Sequence, residues 1–142
     1  MKICTHRGLD IVVLTRNEHC PPHVHVGAHN WDARFQFAFW HNGVRLWDVV
    51  PAREMPSVAT LEEIRLAIKQ PANLRYAREI WWRFMQRVCL ENQRWDAAAG
   101  EVVSNKKRRT EARVIEAARF DATSYKTWLW LAEQPDPVEI EL

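Results

Sequence analysis

The sequence predicts an α+β fold, a small antiparallel sheet packed by two helices with a C-terminal strand–helix–strand extension. Three observations carry that expectation. Apolar residues alternate with period two between residues 9 and 50, the period lengthens to 3.6 after Thr60, and the composition changes again after Gly100. The 142 residues, 47% hydrophobic and 27% charged, suit a core of ordinary size and exclude wholesale disorder. The expected boundaries are a core over residues 1–100 and, over 101–142, a basic connector and acidic segment packed on it.

Each element has a local reason. Leu9 to Thr15 is rich in β-branched residues and stops at Arg16-Asn17-Glu18. Pro21-Pro22 punctuates the chain, and His23 to Val26 alternates polar with apolar. Ala33 to Trp40 alternates as well, with Phe35, Phe37 and Phe39 on one side. Asn42-Gly43 has the composition of a two-residue hairpin turn, and Val44 to Val50 is the return strand, stopped by Pro51. Thr60-Leu61-Glu62-Glu63 reads as a capping box with Thr60 at the N-cap, opening a helix to about Lys69 that Pro71 ends. Asn73 caps a longer helix to about Trp95, whose apolar stripe holds Leu74, Ala77, Trp81, Phe84, Met85, Val88 and Trp95. Arg83, Arg87 and Arg94 form its wet face, and Asp96 to Gly100 its end. Val114 to Phe120 is a strand. Asp121 caps a short helix bearing Ala122, Tyr125, Trp128, Leu129 and Ala132, and Val138 to Leu142 alternates like a terminal strand.

Composition narrows the function classes. None of the 4 Gly falls in a phosphate-loop spacing. The first ten residues lack an apolar stretch and no run approaches the length of a membrane span, so neither a signal peptide nor a membrane partner is expected. Three Cys are an odd count without a disulfide framework, which points to a cytoplasmic chain with reduced thiols. Cys4 and Cys89 then read as small buried hydrophobes. The net charge of +2 is small but unevenly placed: residues 72–113 carry +5 and residues 114–142 carry −4. The two blocks can neutralise each other, or the acidic tail can shield the basic patch until a partner displaces it.

All 6 His fall within residues 6–41. The densest stretch is His19-Cys20-Pro21-Pro22-His23-Val24-His25-Val26. On a strand His23 and His25 share a face, about 7 Å apart by strand rise, while Val24 and Val26 enter the core. Pro21 and Pro22 stiffen the preceding turn, which can return His19 or Cys20 toward the pair, with Glu18, Asp32 and Arg34 nearby in sequence. Three readings follow. His19, Cys20, His23 and His25 are sensible zinc ligands. Alternatively His19, His23 and His25 do metal-free acid–base chemistry on a ribose 2′-hydroxyl, imidazole titrating near neutral pH. In the third, the His are the solvated face of an amphipathic strand.

The stretch N-E-H-C-P-P-H-V-H-V resembles a bacterial family catalogued as domain of unknown function 4160, whose members carry H-x-P-P-H-x-H at the start of a strand. His19, Pro21, Pro22, His23 and His25 match it, and the similarity continues to L-E-N-Q-R-W at residues 90–95. Two departures stand out: Glu18 replaces the usual Asp, and the long helix lacks the His that members often carry there. The resemblance implies no settled activity. It implies a neighbour-encoded protein partner, in an arrangement resembling toxin–antitoxin pairs or mobile-element cargo.

Two functions follow as expectations. One is a toxin-type enzyme acting on RNA through His23 and His25, assisted by His19 or Cys20. Phosphate would be held by Arg34 or by Lys106, Lys107, Arg108 and Arg109, although such a basic run is also an ordinary solvated loop. The other is a non-enzymatic interaction module, an antitoxin or an inhibitor of a host defence complex, that binds its partner through Trp-rich and charged surface. Phe35, Phe37 and Phe39 could stack bases, but three Phe on one face are more often core.

Overall fold

Residues 1–106 and 111–142 are described by the structure, a computed structural model. The chain is mixed α+β and divides into two units. One comprises Met1–Ala38 with Asn42–Gln86, the other Phe39–His41 with Arg87–Leu142. The division therefore falls after Gln86 and not after Gly100.

Among the described residues the first unit holds a five-stranded antiparallel meander: β1 (Lys2–His6), β2 (Leu9–Val12), β3 (His23–Ala28), β4 (Trp31–Gln36) and β5 (Arg45–Val50). Strand β1 is an addition to the expected set. It is joined to β2 through Arg7 and Gly8, both at positive φ (47° and 79°), the backbone a tight hairpin with right-handed strand twist requires. Register sets Val24 opposite Phe35 and Val26 opposite Ala33, and all four are fully buried. Val24, Val26 and Phe35 each contribute about 1.5–3 kcal/mol relative to exposure. The expected Asn42-Gly43 hairpin turn does not form. Residues 37–44 make a longer connection, held by buried Arg78, which donates from Nε to the Ala38 carbonyl (2.8 Å) and from a terminal nitrogen to Asn42 Oδ1 (3.0 Å).

Two helices follow a single 3-10 turn at Ala52–Glu54. Helix α1 (Val58–Lys69) is capped by Ser57, whose hydroxyl accepts from the Thr60 amide at 3.1 Å. Thr60 is thus a first-turn residue and not the cap, because the helix starts one turn earlier than the Glu pattern suggests. Helix α2 (Pro71–Met85) opens on Pro71, the residue expected only to end α1; proline's missing N–H costs nothing at a first helical position. Asn73 donates to the Ala67 carbonyl at the end of α1 instead of capping α2. Buried Leu61, Ile64, Ile68, Leu74, Ala77, Ile80 and Trp81 supply the helices' share of the core, and both helices contact β1. Phe84, expected on that stripe, is exposed.

Helix α2 stops at Gln86, which is left-handed, and Cys89 and Asn92 also have positive φ, so the expected helix to Trp95 is ruled out. The second unit is instead an antiparallel sheet, with β6 (Arg94–Asp96), β7 (Glu101–Val103), β8 (Arg113–Asp121), β9 (Lys126–Leu131) and β10 (Val138–Glu141) in the order β10-β9-β8-β6-β7. The expected C-terminal helix is β9. Thr127, Leu129 and Leu131 are buried while Trp128 and Trp130 face the other way, a period of two that outweighs the 3.6 coincidence of Tyr125, Trp128 and Ala132. Asp121 caps a turn and not a helix. Its Oδ1 accepts from the amides of Thr123 and Ser124, which hold its carboxyl below the usual range. Phe39, expected in a strand with Phe35, packs its ring on Phe120 with 5.0 Å between centroids.

Candidate functional site

Strand β3 is paired on both edges, to β2 and to β4. Its alternation buries Val24 and Val26 completely and sends His23 and His25 to the opposite face. That face is not a solvated one at His23, whose side chain has 0% exposure. The ring is enclosed by Trp47 from β5 at 5.2 Å, Trp81 from α2 at 5.5 Å and His25 at 5.0 Å, centroid to centroid. Trp47 is in turn covered by Arg34, with the guanidinium carbon 3.9 Å above the ring. Arg34 donates two bonds to the Asp48 carboxylate, from Nε at 2.8 Å and from a terminal nitrogen at 2.5 Å. This fork holds the Asp48 carboxyl below the usual carboxylate range.

The Pro21-Pro22 turn does more than stiffen the chain. The Pro22 carbonyl accepts the Phe37 amide, extending the β3–β4 pairing, and the Pro21 carbonyl lies 2.7 Å from His23 Nδ1. A carbonyl only accepts, so His23 Nδ1 bears the hydrogen and Nε2 points the other way. Burial pushes the His23 imidazole below its ordinary range, partly offset by that carbonyl and by Glu18. Ahead of the turn, Glu18 brings its carboxylate under both rings. Oε2 lies 2.5 Å from His23 Nε2 and Oε1 lies 3.3 Å from His25 Nε2, with only 9% of the Glu18 side chain exposed. His25 Nδ1 in turn faces Asp32 Oδ2 at 3.6 Å. Ligand atoms of Glu18, His23 and His25 all lie within 4.8 Å of one another, the spacing of residues able to share a cation.

The expected residues divide sharply. His23 and His25 are brought together. His19 is exposed with its ring 6.0 Å from that of His23, and Glu18 takes the place expected for it in the ligand set. Cys20 is disulfide-bonded, as is Cys89, so Cys20 has no thiolate to offer a metal; of the three thiols expected to be reduced, Cys4 is the free one. Arg34 spends its fork on Asp48 and its face on Trp47, which makes it a positioning residue and not a phosphate clamp. Phe35, Phe37 and Phe39 are core, not a stacking platform. Lys106 is exposed in the second unit, and Lys107, Arg108 and Arg109 lie outside the described residues.

Of the residues that carry the site, Glu18 and Asp32 were expected only as neighbours in sequence and Trp47 was not expected at all. The available signals were a carboxylate five residues ahead of His23 across a Pro-Pro turn and the pairing of β3 with β4, which sets His25 opposite Arg34. No family model matches the chain, and neither a curated protein nor a solved structure matches it.

Proposed function

We propose that this chain is a small bacterial protein of the toxin–antitoxin or mobile-element kind that opens RNA phosphodiesters at the Glu18–His23–His25 cluster. One observation carries the reading: a fully buried imidazole and a nearly buried carboxylate meet at 2.5 Å in the first unit. Burying such groups costs several kcal/mol unless they are paired, and a core gains nothing from them, so their retention marks chemistry. Helices α1 and α2 serve as scaffold over the first sheet. RNA is supported by the second unit, where Trp128 and Trp130 line a cleft of about 350 Å³ with Arg119, Asp121 and Pro137. Indole faces beside a guanidinium are a surface on which bases stack. The H-x-P-P-H-x-H resemblance supports a neighbour-encoded protein partner. Among the described residues no helix is long and apolar enough to cross a membrane.

The test is cleavage of a labelled RNA by purified protein. The double variant His23→Ala with His25→Ala should retain the wild-type circular dichroism spectrum and lose cleavage. Equal cleavage by both proteins would end the reading. The interaction-module reading has its own support in exposed Phe84, Leu66 and Tyr76 on the helices of the first unit. It expects a partner complex that survives the double substitution.

A further inference from the structure

We infer that Glu18, His23 and His25 bind one divalent cation, zinc by the nature of the donors, at the point where their ligand atoms converge. The inference rests on the same cluster as the RNA reading and names what that cluster holds. His23 Nδ1 gives its hydrogen to the Pro21 carbonyl, which leaves a lone pair on Nε2. That lone pair lies 2.5 Å from a carboxylate oxygen of Glu18, without the geometry of a hydrogen bond. His25 Nε2 repeats the pattern against the other Glu18 oxygen, also buried and without a hydrogen-bond partner among the described residues. The His23 lone pair and a carboxylate aimed at one point repel unless a positive charge sits between them, and His25 Nε2 borders the same point.

The outer contacts agree. A metal-bound imidazole uses its other nitrogen to reach a backbone carbonyl or a carboxylate, which fixes tautomer and ring orientation. His23 reaches the Pro21 carbonyl, and His25 faces Asp32. Distances agree as well. Zinc bonds of about 2.0–2.1 Å place tetrahedral ligand atoms about 3.3 Å apart. The ligand atoms here lie within 4.8 Å of one another, and side-chain shifts of under about 1 Å open the 2.5 Å Glu18–His23 contact and close the wider separations to that spacing. Two nitrogens and one oxygen suit zinc, whereas calcium and magnesium take oxygen ligands. Three protein ligands leave a coordination position open, and zinc held that way lowers the pKa of a bound water to about 7.

The test is titration calorimetry with zinc ion alone on protein stripped with EDTA, joined to elemental analysis. Wild type should bind one zinc per chain with sub-micromolar affinity. Glu18→Gln and His25→Gln should each weaken binding 100-fold or more. Asp32→Asn, acting through His25, should weaken it about 10–100-fold. His29→Ala, exposed in the turn just past β3, should bind like wild type. Thermal melts of each variant report folding, and His25 is chosen over His23 because it is only partly buried. Absence of stoichiometric binding, or affinity unmoved by Glu18→Gln and His25→Gln, would overturn the inference. Zinc binding without RNA cleavage supports the cation and removes the RNA reading; RNA cleavage in EDTA by protein that binds no zinc does the reverse.

Discussion

Glu18→Gln should make the metal-free protein more stable, although it removes a charged group 2.5 Å from a histidine. The substitution is nearly isosteric and replaces one carboxylate oxygen by an NH2 donor. In the wild-type protein that oxygen faces the Nε2 lone pair of His23, a buried atom without a hydrogen-bond partner among the described residues. A buried unsatisfied acceptor costs about 1–3 kcal/mol, and the glutamine amide can satisfy it at about 2.9 Å. After some loss of geometry, the expected gain is about 1–2 kcal/mol, or about 3–6 °C in the melting midpoint for a chain of this length. If the contact were instead an imidazolium–carboxylate pair, the same substitution would break a buried ion pair and cost about 3–5 kcal/mol. The two accounts differ in sign. Thermal melts of both proteins in EDTA decide between them, and a lower midpoint for the variant would refute the lone-pair reasoning.

Two further outcomes test parts of the fold away from the cluster. Ser57→Ala removes the hydroxyl that accepts the Thr60 amide and should cost about 1 kcal/mol in urea denaturation, whereas Thr60→Val should cost less; the reverse order would restore Thr60 as the cap. Asp48→Asn tests the Arg34 fork through pH. The Asp48 carboxyl is lowered by its bonds to Arg34, so its contribution is fully present above the unfolded value of about 3.9 and is lost as pH falls through the lower folded one. With a third of the side chain exposed, it is worth at most about 1 kcal/mol. The stability gap between wild type and variant should therefore shrink between pH 5 and pH 3 in urea midpoints, and a gap that stays constant would show that the fork contributes no charge-dependent stability.

How much of this was legible in the sequence depended on whether a signal was local. The alternation of His23, Val24, His25 and Val26 placed the imidazoles on one face, because strand geometry allows nothing else once the valines are buried. The change of period at residue 60 likewise exposed the helices. Helix ends were another matter. Gln86 terminates α2 through a left-handed backbone that glutamine does not advertise, and the apolar residues beyond it, Val88 and Trp95, kept the 3.6 spacing while belonging to the second unit. Lys126 to Leu131 satisfies both periods over six residues, and only pairing with β8 and β10 makes it a strand. The role of Glu18, expected only as a neighbour in sequence, was hidden for a similar reason. The residue lies in an irregular segment whose path is set by the Pro21-Pro22 turn and by Trp47, a residue 29 positions away in sequence that closes over His23.

The alternation in β3 also governs what lengths of chain this protein can tolerate. Valines that anchor the core and histidines that hold the site occupy successive positions of one strand, paired on both edges. Losing or gaining one residue within His23–Ala28 would exchange the two sets, placing imidazoles in the core and valines at the site. A single in-frame codon deletion there would thus remove fold and chemistry together, while the exposed tip at His29-Asn30 could accept insertions with little effect on either. Drift in this lineage should therefore proceed by substitution through the strand and by length change only at its ends.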